Sequence, residues 1–202
     1  MTTLTFPSLS RNGPAGFTFR KLSNTQTFES PFTAGVQTMV LPGARWACAA
    51  RFDNLQPADR AKLLAFLASL RGTAGRFYLG NLGQPTPRGT ALGTPLIKGA
   101  SQTGASLITD GWTAGATLLA GDFIGFNAGA ELRMLIADAT ADGSGNMTLS
   151  LDEPIRVSPG DNTALVTAAP TCIMRLTGDE IGTDYNPGSF SNFTLDAVES
   201  FA

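Results

Sequence analysis

Histidine is absent from this 202-residue sequence. That removes every Ser-His or Cys-His dyad and triad and every histidine-held zinc site. Acid–base chemistry would fall to carboxylates, tyrosine or lysine. There are only two tyrosines, Tyr78 and Tyr185, and three lysines, Lys21, Lys62 and Lys98. Lys62 belongs to the polar face of an expected helix and Lys98 to a loop-rich stretch, and neither context would depress an ammonium pKa. Cysteine is scarce as well. Cys48 and Cys172 lie far apart and read as reduced, buried small hydrophobes. No window approaches the ~18 consecutive apolar residues that suggest a membrane span. The opening MTTLTFPSLSRNG lacks the basic start and apolar run of a signal peptide. The chain is therefore expected to be made, and kept or assembled, in the cytoplasm.

Charge is also thin. Charged residues make up 15% of the chain, against roughly 25% in ordinary soluble domains. A surface this poor in charge suits a protein covered by partners. The few acidic clusters sit at turns. Asp152-Glu153 precedes Pro154, and neighbours on a strand point to opposite faces. Asp179-Glu180 with Asp184 reads as a charged loop. The stretch from Asp138 to Asn146 looks like a calcium loop, but its third position is Thr140 and its twelfth Leu149, where ligands are needed. The Gly-rich segments lack the Lys-Ser/Thr ending of a phosphate loop. No cofactor, no metal and no enzymatic activity are expected. A carboxylate-based glycosidase would need two carboxyls about 5–10 Å apart across a groove, which the turn positions do not favour.

What charge there is is segregated. The first 100 residues hold 11 Lys and Arg against 3 Asp and Glu, and the last 102 hold 3 against 13. Halves of opposite sign are built to meet, within one molecule or between copies of it. Balanced net charge argues against direct nucleic-acid binding.

The hydrophobic pattern is mainly that of strands. Phe17 and Phe19 alternate with Thr18 and Arg20, and Val36, Thr38 and Val40 with Gln37 and Met39. Over Ala44 to Phe52, Trp46, Cys48, Ala50 and Phe52 share one parity, and Arg45, Ala47, Ala49 and Arg51 the other. This is a half-buried strand with arginines outward. One helix is predicted over 56–71: Pro57 at its first position, Asp59 in the first turn, and Leu63, Phe66 or Leu67, and Leu70 at helical spacing. Arg71 then Gly72 supplies a cationic last turn and a left-handed stop. A strand follows over Gly75 to Leu79.

Residues 81–105 are rich in Gly, Pro, Thr and Ser and read as a linker or boundary. Short strands then recur: 105–108, 117–119, 122–126, 131–137, 146–151, 163–167 and 172–176. Leu132, Met134 and Ile136 oppose Glu131 and Arg133. Met147, Leu149 and Leu151 oppose Thr148, Ser150 and Asp152. A turn at Ala141–Gly145 would join these two strands as a hairpin. The pattern predicts a small antiparallel barrel over 88–172, inserted into a parent domain made of 1–87 plus 173–202. The parent is predominantly basic at its N-terminal end and acidic at its C-terminal end, and the insertion is acidic. That contrast would serve a head-to-tail contact between copies, or simply a contact within one chain.

The order TFESPFTAGVQT, a strand Trp, a helix ending LRGTAGRFYLGN, then LLAGDFIGF, ADGSGNMTLSLDEPIR and a terminal FTLDAVESF resembles tail proteins of tailed bacteriophages. It is most like the distal tail (tail-tip or baseplate) proteins of long, flexible-tailed phages, and the similarity spans most of the chain. The resemblance implies a mainly β fold with one helix. A β-sandwich-like, ring-forming domain would carry the inserted small β domain, commonly as six copies in a ring. It also implies a virion location, and partners in the tail-tube protein and the hub or receptor-binding parts. Candidate subunit contacts are Arg45 and Arg51 with the acidic Asp179, Glu180 and Asp184. The alternative is a carbohydrate-binding module of a phage adhesion apparatus, with Trp112, beside a turn, as the exposed glycan contact.

Overall fold

A computed structural model describes residues 3–9, 13–180, 182–185 and 190–201. The protein is mainly β with a single α-helix among those residues. Strands β1 (Thr3–Thr5), β2 (Gly16–Leu22), β3 (Thr25–Glu29), β4 (Val36–Val40) and β5 (Arg45–Leu55) precede helix α1 (Pro57–Leu70). There follow β6 (Arg76–Leu79), β7 (Gly93–Ile97), β8 (Ser106–Trp112), β9 (Thr117–Leu118) and β10 (Phe123–Phe126). Then come β11 (Glu131–Met134), β12 (Ala139–Thr140) and β13 (Met147–Ser150). The chain ends with β14 (Cys172–Leu176), β15 (Asp184–Tyr185) and β16 (Ser191–Glu199). Two compact units are formed, one from Met1–Ser8 and Gly75–Met174, the other from Leu9–Ala74 and Arg175–Ala202.

In the first unit, β6 has β1 parallel on one side and β14 antiparallel on the other. The rest of this unit is a closed antiparallel circuit. β13 pairs with β8, and β8 with β7. Leu96 of β7 bridges to Ala164, and Val166 to Gly125 of β10. β10 pairs with β11. Leu135, just past β11, bridges to Leu151, just past β13. The 163–167 segment thus closes the ring through single bridges rather than as a full strand. This is the small antiparallel barrel predicted from strand spacing, and closure removes its sheet edges. Its interior holds Ile97, Leu107, Ile124, Phe126, Leu135 and Leu149, none with measurable exposure. Each such side chain contributes about 1.5–3 kcal/mol by leaving water.

Three sequence expectations need correction here. The 81–105 stretch is not a linker throughout, because Gly93–Ile97 is strand β7 of the barrel wall. Its Gly/Pro-rich flanks are held by hydrogen bonds rather than by apolar burial, so hydropathy could not reveal them. The Ala141–Gly145 turn forms, with the Asp142 N–H donating to the Asn146 carbonyl at 2.9 Å, yet β13 takes β8 as its main partner. Glu131 and Arg133 do not face water: Glu131, Leu132 and Arg133 are all buried. The segment at 154–157 supplies hydrogen-bond partners to the charged face of β11, and the inward parity shifts so that Leu135 is buried while Ile136 is exposed.

In the second unit, β5 lies between β2 and β16, antiparallel to both, and β15 adds to β16. The Thr177 N–H donates to the Asp196 carbonyl of β16 at 3.1 Å. On β5, Trp46, Cys48, Ala50 and Phe52 are buried while Arg45 and Arg51 stand in solvent, as predicted, but the parity is not strict: Ala47, expected outward, is buried as well and Ala49 is half-buried. Phe19 stacks on Trp46 with ring centroids 5.0 Å apart. Helix α1 has Pro57 at its first turn and buries Leu63, Phe66, Leu67 and Leu70. Arg71 itself takes the left-handed capping conformation (φ 54°), followed by Gly72. Gly72 is required there: a Cβ would stand 2.3 Å from the Asp179 carboxylate.

Candidate interaction surface

The segregated charge meets inside the second unit. β16, from the acidic end of the chain, pairs along β5, from the basic end. Buried Glu199 accepts a 2.9 Å hydrogen bond from the Trp46 backbone N–H. Nine Lys and Arg against eight Asp and Glu leave this unit at +1, and five against eight leave the other at −3. Within this unit the contrast between the two ends of the chain is largely cancelled.

The predicted contact residues separate into three groups. Arg51, Glu180 and Asp184 line one polar groove of about 690 Å³ with Asp53, Thr183 and Asn192. Arg51 pairs with Asp53 at 3.0 Å, an exposed ion pair of little energetic weight. Arg45 is exposed opposite Leu22 and does not line that groove. Asp179 is engaged within the chain: its carboxylate accepts the Thr73 N–H at 2.7 Å, which holds it below the ordinary aspartate range.

Trp112 corrects the glycan expectation. It is 5% exposed, and its indole N–H donates to Thr109 Oγ1 at 2.8 Å. Its neighbouring turn suggested exposure, but as the last residue of β8 it points into the barrel core. It presents no stacking face to a sugar ring.

The acidic groups are occupied structurally. Buried Asp122 accepts the backbone N–H of Arg88 at 2.9 Å, Leu119 at 2.9 Å and Gly89 at 3.2 Å, and the Gln84 amide at 3.1 Å. Burial opposes ionisation of Asp122, but these donors and the Arg88 guanidinium outweigh it, so its carboxyl titrates below the usual value. This clasp holds the 84–89 segment to the barrel. Asp142 is likewise lowered, chiefly by the Asn146 backbone and amide donors and also by the Ser144 N–H. The loop's own donors thus take up the carboxylate that suggested calcium. Among the described residues no group of three or more Cys, Asp or Glu is placed to hold a metal. Glu131 and Arg133 form a buried ion pair at 2.5 Å, with further bonds from the Arg156 N–H to Glu131 and from Arg133 to the Pro154 carbonyl. Both cysteines are buried, and burial pushes the Cys48 thiol up to about 12, far from a reactive thiolate. No described helix is long and apolar enough to cross a membrane.

The feature that sequence reading passed over is the β3–β4 hairpin. Thr25–Glu29 and Val36–Val40 pair in register from Thr25 opposite Val40 to Glu29 opposite Val36. All ten strand residues are exposed. Phe28, Val36, Met39 and Val40 are half to three-quarters exposed, and Phe32 at the tip is 94% exposed. The alternation was legible, but whether either face is covered is a tertiary fact. In the first unit, a separate apolar cavity of about 290 Å³ opens between Phe6, Pro7, Tyr78, Leu82, Pro85 and Pro170. Gly80 helps to form it, lying so close to the Pro170 carbonyl that a Cβ would clash.

Compared with known protein families and with curated proteins, the chain finds no match.

Proposed function

We propose that this chain is a structural component of a bacteriophage tail tip, built into a ring that joins the tail tube to the hub and receptor-binding apparatus. The observation that carries this reading is the free-standing β3–β4 hairpin, whose strands are exposed on both faces and carry Phe28, Val36, Met39 and Val40. An isolated two-stranded hairpin is marginal in water. Apolar side chains gathered on an exposed element mark a surface meant for a partner. The segment that builds it, TFESPFTAGVQT, is among those that resemble tail-tip proteins. In this reading the chain works in the virion and catalyses nothing. Its partners are further copies of itself (six, by the resemblance), the tail-tube protein and the hub. The groove of Arg51, Glu180 and Asp184 offers a second, polar contact, and Arg45, exposed at the far end of the same strand as Arg51, a third point of contact.

Native mass spectrometry and light scattering test the reading across a wide concentration range, with the chain alone and with its tail-tube protein. Closed oligomers, visible as rings by electron microscopy, are expected. A strict monomer under both conditions would reject it.

A further inference from the structure

We infer that Phe32 is a plug, and that its socket is the apolar cavity between Phe6, Pro7, Tyr78, Leu82, Pro85 and Pro170 on a second copy of this chain. The assignment of a partner rests on the self-assembling role proposed above.

Phe32 is the most exposed of the large apolar side chains described, at 94%. It is also held in place before any partner arrives. The Ser30 N–H donates to the Gly35 carbonyl at 2.9 Å and the Ala34 N–H to the Ser30 carbonyl at 3.0 Å. The Ser30 hydroxyl accepts the Phe32 and Thr33 N–H groups, each at 3.4 Å. Ala34 adopts a left-handed φ of 51°, a conformation a non-glycine residue keeps only where its surroundings impose it. A tip ordered in advance loses little freedom on docking.

The cavity matches in chemistry and size. Aromatic, proline and leucine side chains dominate its wall. At about 290 Å³ it has room for one aromatic side chain, and it falls at the bottom of the range for small-molecule pockets, which begin at roughly 300 Å³. Charge favours the same pairing. The hairpin itself bears one charge, Glu29, but Lys21 and Arg45 flank its stem, on strand positions paired with Trp46 and Leu22, and the unit that carries it is net +1. The unit that carries the socket is net −3, from five cations and eight anions, so the approach is attractive. One ring alone is too small an interface to hold two proteins. The exposed Phe28, Val36, Met39 and Val40 extend the contact along the stem. Plug and socket are different surfaces, so the contact is head-to-tail, the kind that closes into rings.

The test uses two full-length variants, Phe32→Cys and Leu82→Cys, prepared separately. Leu82 is 40% exposed at the cavity, and the native cysteines are buried. Mixed under mild oxidation, the two are expected to form a Phe32→Cys/Leu82→Cys disulfide pair, seen by intact mass, well above either variant alone. A third variant, Phe32→Asp, is expected to raise the concentration needed for assembly at least tenfold while leaving the unfolding midpoint unchanged. If the wild type assembles but the mixture does not cross-link and Phe32→Asp assembles normally, the plug is wrong and the assembly role stands. If Phe32→Cys cross-links to the tail-tube protein instead, the second copy is the wrong occupant. A wild type that stays monomeric alone and with the tail-tube protein overturns both.

Discussion

Strands β11 and β3 are of similar length and both lie in antiparallel pairs, yet they meet opposite fates. Three of the four residues of β11 are buried, two of them charged. All five residues of β3, including Phe28, stand in solvent. Hydrogen-bonded pairing is satisfied in both, so pairing does not account for the difference. Coverage does. β11 sits in a closed ring: Glu131 and Arg133 share the face of their partners Phe126 and Ile124, which belong to the interior, and the segment at Pro154–Val157 bonds to them. The hairpin of β3 and β4 leaves its sheet with nothing among the described residues over either face. The barrel is a finished structure and the hairpin an unfinished one, which is why the barrel reads as scaffold and the hairpin as contact.

The sharpest way to break the contrast is at the buried pair. Glu131→Ala leaves the Arg133 guanidinium buried without its carboxylate and is expected to cost about 3–5 kcal/mol, measured by urea unfolding. Leu149→Ala, within the barrel, is expected to cost about 2–5 kcal/mol through lost burial and a residual cavity; a cost under 1 kcal/mol would mean that the barrel core is loosely packed. Asp122→Ala leaves three backbone donors without an acceptor, a loss of about 1–3 kcal/mol.

The Asp122 clasp also carries a pH signature. Its folded-state carboxyl titrates below the unfolded value, so the stabilisation is complete above the ordinary aspartate range, near pH ~4. It is lost as pH falls through the lower folded value. Thermal midpoints of the wild type should therefore decline on acidification below about pH 4, and those of Asp122→Ala should decline less over the same range. Smallest of all should be the change at the hairpin. Phe28→Ser is expected to shift the stability of the isolated chain by no more than about 0.5 kcal/mol, while reducing self-association in light scattering. A loss as large as that of a core substitution would mean that the hairpin is already covered within the monomer.

Much of the scaffold could be read directly. The helix, most of the inward parity of β5, the first half of β8, and β9, β10, β13 and β14 follow from periodicity and turn residues, because those patterns report which residues want to leave water. The candidate contact groups were legible only in part. Arg51, Glu180 and Asp184 converge on one groove, but Asp179 is committed to Thr73 and Arg45 lies outside the groove. Trp112 was misplaced because a neighbouring turn does not say which way the last residue of a strand points. β7 was hidden by its Gly and Pro content. The plug at Phe32 lies in plain sequence, yet nothing local distinguishes a phenylalanine that will be covered from one that will be left standing.

Composition alone settled that histidine chemistry is out of reach, and alternation of side chains settled that this is a mainly β protein, with one α-helix among the described residues. Those follow from residue type and from the short-range geometry of the backbone, which act wherever the chain goes. Three-dimensional packing decided the rest. It set Glu131 against Arg133 in the dark, gathered the basic start and the acidic end of the chain into one nearly neutral unit by pairing β5 with β16, and left one hairpin bare. Each of these depends on what residues distant along the chain bring to the other side of a strand, and no local pattern encodes the far side.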